Sequence, residues 1–73
     1  MFLHSSADVG RLLRDHRIRR GLSQQVLADK IGVSRQWLVK VEGGHDRAEI
    51  GSVLRAIKAL GIRLEPITRV RLD

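Results

Sequence analysis

The chain contains no cysteine, a single proline and no long apolar run. Without cysteine it can form neither disulfides nor thiolate zinc sites. The apolar segment at the start, Phe2 and Leu3, is too short for a signal peptide. No run approaches the roughly 18 apolar residues that are needed to span a bilayer. We therefore expect a soluble, cytoplasmic protein.

Groups of residues that carry chemistry are missing as well. His4, His16 and His45 lack metal-ligand spacing and have no carboxylate at a useful interval. There are no paired carboxylates, no nucleophile–base pair and no phosphate-binding glycine loop, because Gly43-Gly44 closes a helix rather than opening one. We expect no metal, no cofactor, no catalytic residue and no enzyme activity, with His16 half-buried.

What the sequence does have is positive charge. Fourteen Lys and Arg against eight Asp and Glu give +6, and eleven of the fourteen are arginine. This excess is typical of a protein with a polyanionic partner, and a merely soluble basic surface would have the same composition. With 73 residues the chain is one domain at most. A domain this small buries only about 60% of its unfolded surface, and dimerisation is a common remedy.

Serines and glycines divide the first part of the chain into three predicted helices. The first is capped by Ser5 or Ser6 and runs to about residue 20, with a buried stripe every three to four residues. The second starts at Ser23 and runs to about residue 30, and the third starts at Ser34 and ends near residue 41 or 42. Glycines end them, at Gly21, Gly32 and Gly43.

A fourth amphipathic helix follows, with its N-cap near Asp46 or Arg47 and Gly61 after its end. Its apolar positions are Ile50, Val53, Leu54, Ile57 and Leu60. The predicted fold class is therefore all-α, a bundle of four to five helices.

The tail changes to a period of two from residue 62, which predicts a β-strand. Pro66 indicates an edge strand or a break. A lone strand cannot satisfy its own backbone, so it needs a partner, either residues 1–4 or, more economically, the same tail of a second copy. Such a dimer would bury Ile62, Leu64, Ile67 and Val70.

The third helix has two distinct faces at 100° per residue. Trp37, Leu38 and Val41 fall on an inner face, and the outer face holds Arg35, Gln36, Val39 and Lys40. Arg can fork to guanine, Gln to adenine, and Val can pack on a thymine methyl, so these groups suit a DNA major groove. An ordinary helical hairpin with a solvated polar face would show the same helix pattern.

The stretch "LSQQVLADKIGVSRQWLVKVEGG" is more specific, because it resembles the helix-turn-helix of the Xre/Cro-like repressors. The matching features are Ser-Gln opening helix 2, Ala28 within it, Gly-Val-Ser at the turn and Glu-x-Gly closing helix 3. The resemblance covers about residues 8–61. It implies a DNA-binding domain there, after an N-terminal extension (1–7) and before a dimerisation tail (62–73).

The resemblance also implies roles for individual residues. Arg35, Gln36, Val39 and Lys40 match base-reading positions. The positions that match contacts to the DNA backbone are Gln24, Ser34, Gly44 and His45. Trp37 is either core filler or a further backbone contact. Arg17 and Glu42 match a pair that forms a partly buried salt bridge, whereas the plainer interpretation is two independent surface charges.

The helix-turn-helix followed by "ALGIRLEPI" resembles the HipB-like antitoxins. That resemblance implies a homodimer on a palindromic double-stranded DNA operator, repression of its own operon, and neutralisation of a HipA-like kinase toxin. The alternative is a stand-alone phage-type or metabolic Xre-like repressor without a toxin. Copurification with a neighbouring protein would favour the first.

Overall fold

A computed structural model describes residues 3–64, and this part of the chain folds into four helices. They are α1 (Ser6–Arg19), α2 (Gln24–Ile31), α3 (Arg35–Glu42) and α4 (Ile50–Ala59). The prediction of an all-α fold is confirmed over these residues, which contain no strand. None of these helices is both long and apolar enough to cross a membrane.

Serine hydroxyls start the first three helices, as the sequence predicts. The Oγ atoms of Ser5, Ser23 and Ser34 accept backbone N–H groups three residues onward, at 3.2, 3.1 and 3.0 Å. Each bond satisfies one of the N–H groups that the first turn of a helix leaves unpaired. At the other end of α2, Gly32 has a φ of 73°, a left-handed conformation that suits glycine.

The prediction for the start of α4 was wrong by two to three residues. Its N-cap is Glu49, not Asp46 or Arg47. The Glu49 carboxylate accepts the N–H of Gly51 at 2.9 Å and the N–H of Ser52 at 2.7 Å, and the Ser52 hydroxyl donates to it at 2.6 Å. Helix N-caps usually have a short side chain such as that of Asp46, whereas here the longer carboxylate of Glu49 reaches two N–H groups at once.

The core is formed where α1 packs against α3, and α2 packs against both α3 and α4. One leucine from each of α1, α2 and α3 is fully buried, and a fourth follows the end of α4: these are Leu13, Leu27, Leu38 and Leu60. Because none of the helices is stable alone at this length, this burial holds all four in place.

The contact between α1 and α3 is close enough to require glycine. Gly10 is buried, and a Cβ atom there would collide with the backbone carbonyl oxygens of Val41 and Glu42. Backbone atoms at the end of a helix cannot move away as a flexible side chain can. This glycine therefore sets the distance between α1 and the last turn of α3.

Two of the five apolar positions predicted for α4 do not face the core. Val53 and Ile57 are buried, but Ile50 is 67% exposed and Leu54 is 52% exposed. The small Ala56 is fully buried instead. The buried face of α4 is thus rotated from the one that the large side chains indicate, and an apolar strip is left outside.

The described part of the predicted tail, residues 62–64, has no strand conformation. Ile62 packs against the core, and its N–H donates to the carbonyl of Ile57 at 3.1 Å, which completes the end of α4. Leu64 is 47% exposed. Ile67 and Val70, and the rest of the predicted pairing strand, lie outside the described residues. At the other terminus α1 begins at Ser6, within the predicted extension of residues 1–7.

Candidate nucleic-acid interface

The outer face of α3 is open to solvent over its whole length. Arg35, Gln36, Val39 and Lys40 are all exposed. They comprise one guanidinium, one amide, one aliphatic group and one ammonium along two turns of helix. The structure therefore brings together the four side chains that the sequence grouped on one face.

The inner face of α3 is fixed from behind. Leu38 is fully buried and Val41 is 3% exposed, both within the core formed with α1 and α2. Trp37 is half-buried and packs against the same core, as a core-filling side chain does. An eight-residue helix with this anchoring presents its outer face rigidly.

The turn between α2 and α3 is short and hydrogen-bonded. Gly32 ends α2, Val33 follows with its N–H bonded to the carbonyl of Ala28 at 3.0 Å, and Ser34 starts α3. Val33 also packs against the core. The two helices are thus held as one unit, with Ser34 exposed at the start of α3.

The structure contains the ion pair between Arg17 and Glu42. Arg17 Nε lies 2.7 Å from Glu42 Oε2, and Arg17 Nη2 donates to Glu42 Oε1 at 3.0 Å. The two side chains are only 11% and 3% exposed. Arg17 Nη1 also donates to the carbonyl of Leu22 at 2.8 Å, so the pair joins the end of α1, the following turn and the end of α3.

Gln24 takes part in the same network, which the sequence did not predict. Its Nε2 donates to Glu42 Oε1 at 3.1 Å. The first residue of α2 is therefore held against the last residue of α3. By contrast, the next glutamine, Gln25, bonds to Asp29 on the exposed side of its own helix at 2.8 Å.

The loop after α3 also folds over the end of that helix. The N–H of His45 donates to the carbonyl of Lys40 at 3.1 Å, and the imidazole is exposed. Gly44 has a φ of 95° and lies against Ala7 at the start of α1, where a Cβ atom would come within 3.2 Å of the Ala7 Cα. Gln24 and this loop are thus both positioned at the C-terminal end of α3.

Two carboxylates of the described residues have a clearly lowered pKa, and neither lies on α3. The Ser52 hydroxyl, followed by the N–H groups of Ser52 and Gly51, donates to Glu49 and lowers its pKa. The backbone N–H of His4, at 3.0 Å, is the main cause of the lowered pKa of Asp8. Both stabilise the first turn of a helix rather than a reactive site.

A sequence profile described as "Helix-turn-helix domain" matches residues 8–69. The chain belongs to this helix-turn-helix family. A curated relative, an "uncharacterized HTH-type transcriptional regulator y4mF" of Sinorhizobium fredii, is 35% identical over 63 residues, which are 86% of this chain and 83% of the relative. Another HTH-type transcriptional regulator, from Methanothermobacter thermautotrophicus, is 38% identical over 50 residues, 68% of this chain and 72% of that protein.

Solved structures with the same fold include HipB complexes. A chain of a HipA-HipB-O2-O3 complex matches with a TM-score of 0.83, covering 96% of this chain and 99% of its own length at 17% identity. A chain of a HipB-O4 20mer complex matches with a TM-score of 0.82 at the same identity and coverage. Likeness at this identity shows a shared fold. The family and the curated relatives, rather than these structures, identify this helix-turn-helix protein as a DNA-binding transcriptional regulator, in a family that is generally non-enzymatic.

Proposed function

We propose that this helix-turn-helix regulator is a repressor that binds a palindromic double-stranded DNA operator as a homodimer and reads it with α3. The observation that supports this most is the exposed outer face of α3, backed by a fully buried Leu38. A recognition helix must present donors and apolar contacts in a fixed geometry, because each base pair offers its pattern at fixed positions in the groove.

The base-reading residues in this proposal are Arg35, Gln36, Val39 and Lys40. Arg35 forks to a guanine, Gln36 pairs with an adenine, Lys40 donates to a base edge or phosphate, and Val39 contacts a thymine methyl. In the proposed complex, Ser34 donates to the DNA backbone at one end of α3. Gln24 and the imidazole of His45 do so near the other end, where the hydrogen bonds described above hold both residues. Gly44 lies beside the DNA backbone in the same loop, and its own N–H is bonded to the carbonyl of Val41 at 3.0 Å.

Trp37 has a different part in this proposal. Because its ring packs on the core, its main task is to support α3. A backbone contact by its indole N–H would be secondary.

Selection of bound duplexes from a random DNA library tests this function. We expect a consensus of two inverted half-sites whose centres lie one helical turn, about 34 Å, apart. The affinity for the selected site should fall steeply with salt, because Lys and Arg contacts release counterions from the DNA. Recovery of no consensus, with equal affinity for every duplex, would contradict the proposal.

We further propose that this repressor is the antitoxin of a pair whose toxin is a HipA-like kinase. Support comes from the likeness to a chain in a complex that contains both HipA and HipB. The alternative, a stand-alone repressor, requires only the DNA-binding surface.

Coexpression separates these two functions. The protein should form a complex of defined stoichiometry with a HipA-like kinase encoded beside it and relieve the growth arrest that the kinase causes. As a control, a variant with Arg35→Ala and Lys40→Ala should lose operator binding but still relieve the arrest. If the protein neither binds the kinase nor relieves the arrest, it is a stand-alone repressor.

A further inference from the structure

We propose that the exposed side of α4 is the contact surface for a second copy of this chain, with Leu54 of each copy seated in an apolar cavity beside Ile50 of the other. The proposal rests on the proposed dimeric repressor and adds where the two copies meet. The sequence placed the dimer contact in the tail, whereas the structure offers this surface on a helix.

The first support is the position of the exposed aliphatic side chains. Ile50 and Leu54 are 67% and 52% exposed and lie one turn apart on the same helix. Among the described residues, the other large exposed hydrophobics of the helices stand singly: Ile18 on α1, Val26 on α2 and Val39 on α3. Single exposed aliphatics are ordinary on a protein surface, but an adjacent pair on one helix is a candidate contact.

The second support is a cavity that adjoins this pair. It has a volume of about 140 Å³, and most of its lining is apolar: Val9, Val41, Ala48, Ile50 and Val53, with Ser6, His45 and Asp46 completing the wall. An apolar cavity of about 150 Å³ holds a benzene molecule, so this one accommodates an aliphatic side chain. Ile50 lines the cavity and lies one helical turn from the protruding Leu54, so the hollow and the projection are neighbours along α4. A surface with both a projection and a matching hollow is self-complementary, as a two-fold interface requires.

The charges along α4 favour a second copy in an antiparallel arrangement. Asp46, Arg47 and Glu49 near its start sum to −1, whereas Arg55 and Lys58 in its second half sum to +2. Two antiparallel copies place the acidic end of each helix beside the basic end of the other. Their helix dipoles are then also opposed, which is favourable.

The surface leaves the base-reading face of α3 free. α4 packs mainly against α2, and the outer face of α3 belongs to a different helix, so a partner on α4 does not need to cover Arg35 or Gln36. It does lie close to His45, which lines the cavity and is assigned to the DNA backbone, so the two contacts adjoin there. A stable interface buries about 800 Å² on each partner, more than Ile50 and Leu54 alone provide. Leu64, exposed beyond the end of α4, lines a separate hollow with Leu12 and His16 and belongs to the predicted tail contact instead.

Sedimentation equilibrium of the full chain over a range of concentrations tests the proposal. The wild type should be a dimer. Leu54→Asp places a charge in the contact, and Ala48→Phe fills the cavity without adding charge; each should raise the dimer dissociation constant at least 100-fold. Val26→Asp is the matched control, because Val26 is 49% exposed on another helix, and it should leave the constant within threefold.

Cross-linking gives a second readout that does not depend on a weakened variant. Because the chain has no cysteine, a mixture of an Ala48→Cys protein and a Leu54→Cys protein can form disulfides only between the introduced cysteines. The mixture should form a covalent heterodimer at least tenfold faster than a mixture of Ala48→Cys with Val26→Cys.

The results separate this proposal from the proposed function. A monomeric wild type, or a dimer that survives both substitutions and cross-links no faster than the control mixture, would overturn the α4 contact. A dimer lost only with Leu64→Asp would also overturn it and place the contact in the tail. If the α4 variants dissociate as expected but duplex selection finds no consensus, the contact stands and the DNA-reading function fails.

Discussion

The carboxylate of Glu42, the last residue of α3, accepts two hydrogen bonds from the guanidinium of Arg17 on α1, at 2.7 and 3.0 Å. Both side chains are almost fully buried, and Gln24 on α2 donates to the same carboxylate. The three helices that form the candidate DNA-binding unit therefore meet at one charged group. No buried polar side-chain atom in the described residues lacks a partner, which is the condition for such a pair to be tolerated.

Removing one member of this pair should destabilise the fold strongly. We expect Glu42→Ala to lower the free energy of unfolding by about 3–5 kcal/mol, because it leaves the Arg17 charge buried without its partner. Asp29→Ala, an exposed carboxylate on α2, is the control and should stay within about 0.5 kcal/mol. Urea denaturation measures both. The double change Arg17→Met with Glu42→Leu should cost less free energy of unfolding than Glu42→Ala, because it leaves no buried charge without a partner. A small loss of unfolding free energy for Glu42→Ala alone would show that the buried pair contributes little to stability.

A methyl group at Gly10 should also be poorly tolerated. Gly10→Ala places a Cβ against the carbonyls of Val41 and Glu42 and should cost about 3 kcal/mol, since α1 must shift away from α3. Gly43→Ala is the matched control, because a Cβ there meets its nearest atom at 3.4 Å. The melting temperature of Gly10→Ala should be clearly lower than that of Gly43→Ala. Equal melting temperatures would contradict the close contact between α1 and α3.

Local features of the fold could be predicted from the sequence. Ser5, Ser23 and Ser34 each start a helix, because a short hydroxyl side chain reaches the N–H three residues onward. Gly32 ends α2 since it adopts a left-handed conformation. The outer face of α3 follows from helical periodicity, which needs no tertiary information.

Features that depend on tertiary contacts could not be predicted in this way. α4 carries apolar residues around a wide arc, so periodicity did not show that Val53 and Ala56 would face inward while Leu54 faced outward. Gln24 is adjacent to Glu42 only after α2 and α3 pack. The Glu49 cap depends on a long side chain folding back, which sequence preferences for caps disfavour.

Two arginines should separate base reading from general attraction to DNA. Both Arg35 and Arg14 are exposed, but only Arg35 lies on the outer face of α3. Arg35→Ala should cost about 1–3 kcal/mol on the operator and relax the preference at one base position. Arg14→Ala should at most weaken all sequences alike. Binding titrations on operator and random duplexes check this, and equal losses on both duplexes for Arg35→Ala would rule out its assigned role.

Acid should weaken the start of α4. Hydrogen bonds from Ser52 and Gly51 hold the pKa of Glu49 below its ordinary value of 4.5. A lowered pKa in the folded state contributes stability that is complete above the ordinary value and disappears as the pH falls through the folded value. Glu49→Gln should therefore reduce the loss of unfolding free energy between about pH 6 and about pH 3.

Asp8→Asn provides a comparison, because it removes a second carboxylate with a lowered pKa at the start of a different helix. The pKa of Asp8 is also lowered, chiefly by the N–H of His4, so this variant should remove only the contribution of α1. Unfolding curves measured at several pH values compare the two variants with the wild type. An unchanged pH profile for Glu49→Gln would show that the cap does not contribute.

The central claim is that α3 reads bases through its outer face, and one measurement tests it most directly. A selected operator is prepared with 7-deazaguanine at the guanine assigned to Arg35, which removes the N7 acceptor alone. The wild type should lose about 5- to 150-fold in affinity, corresponding to about 1–3 kcal/mol, while Arg35→Ala should lose almost nothing further. Equal losses for the two proteins at every guanine of the operator would contradict the claim.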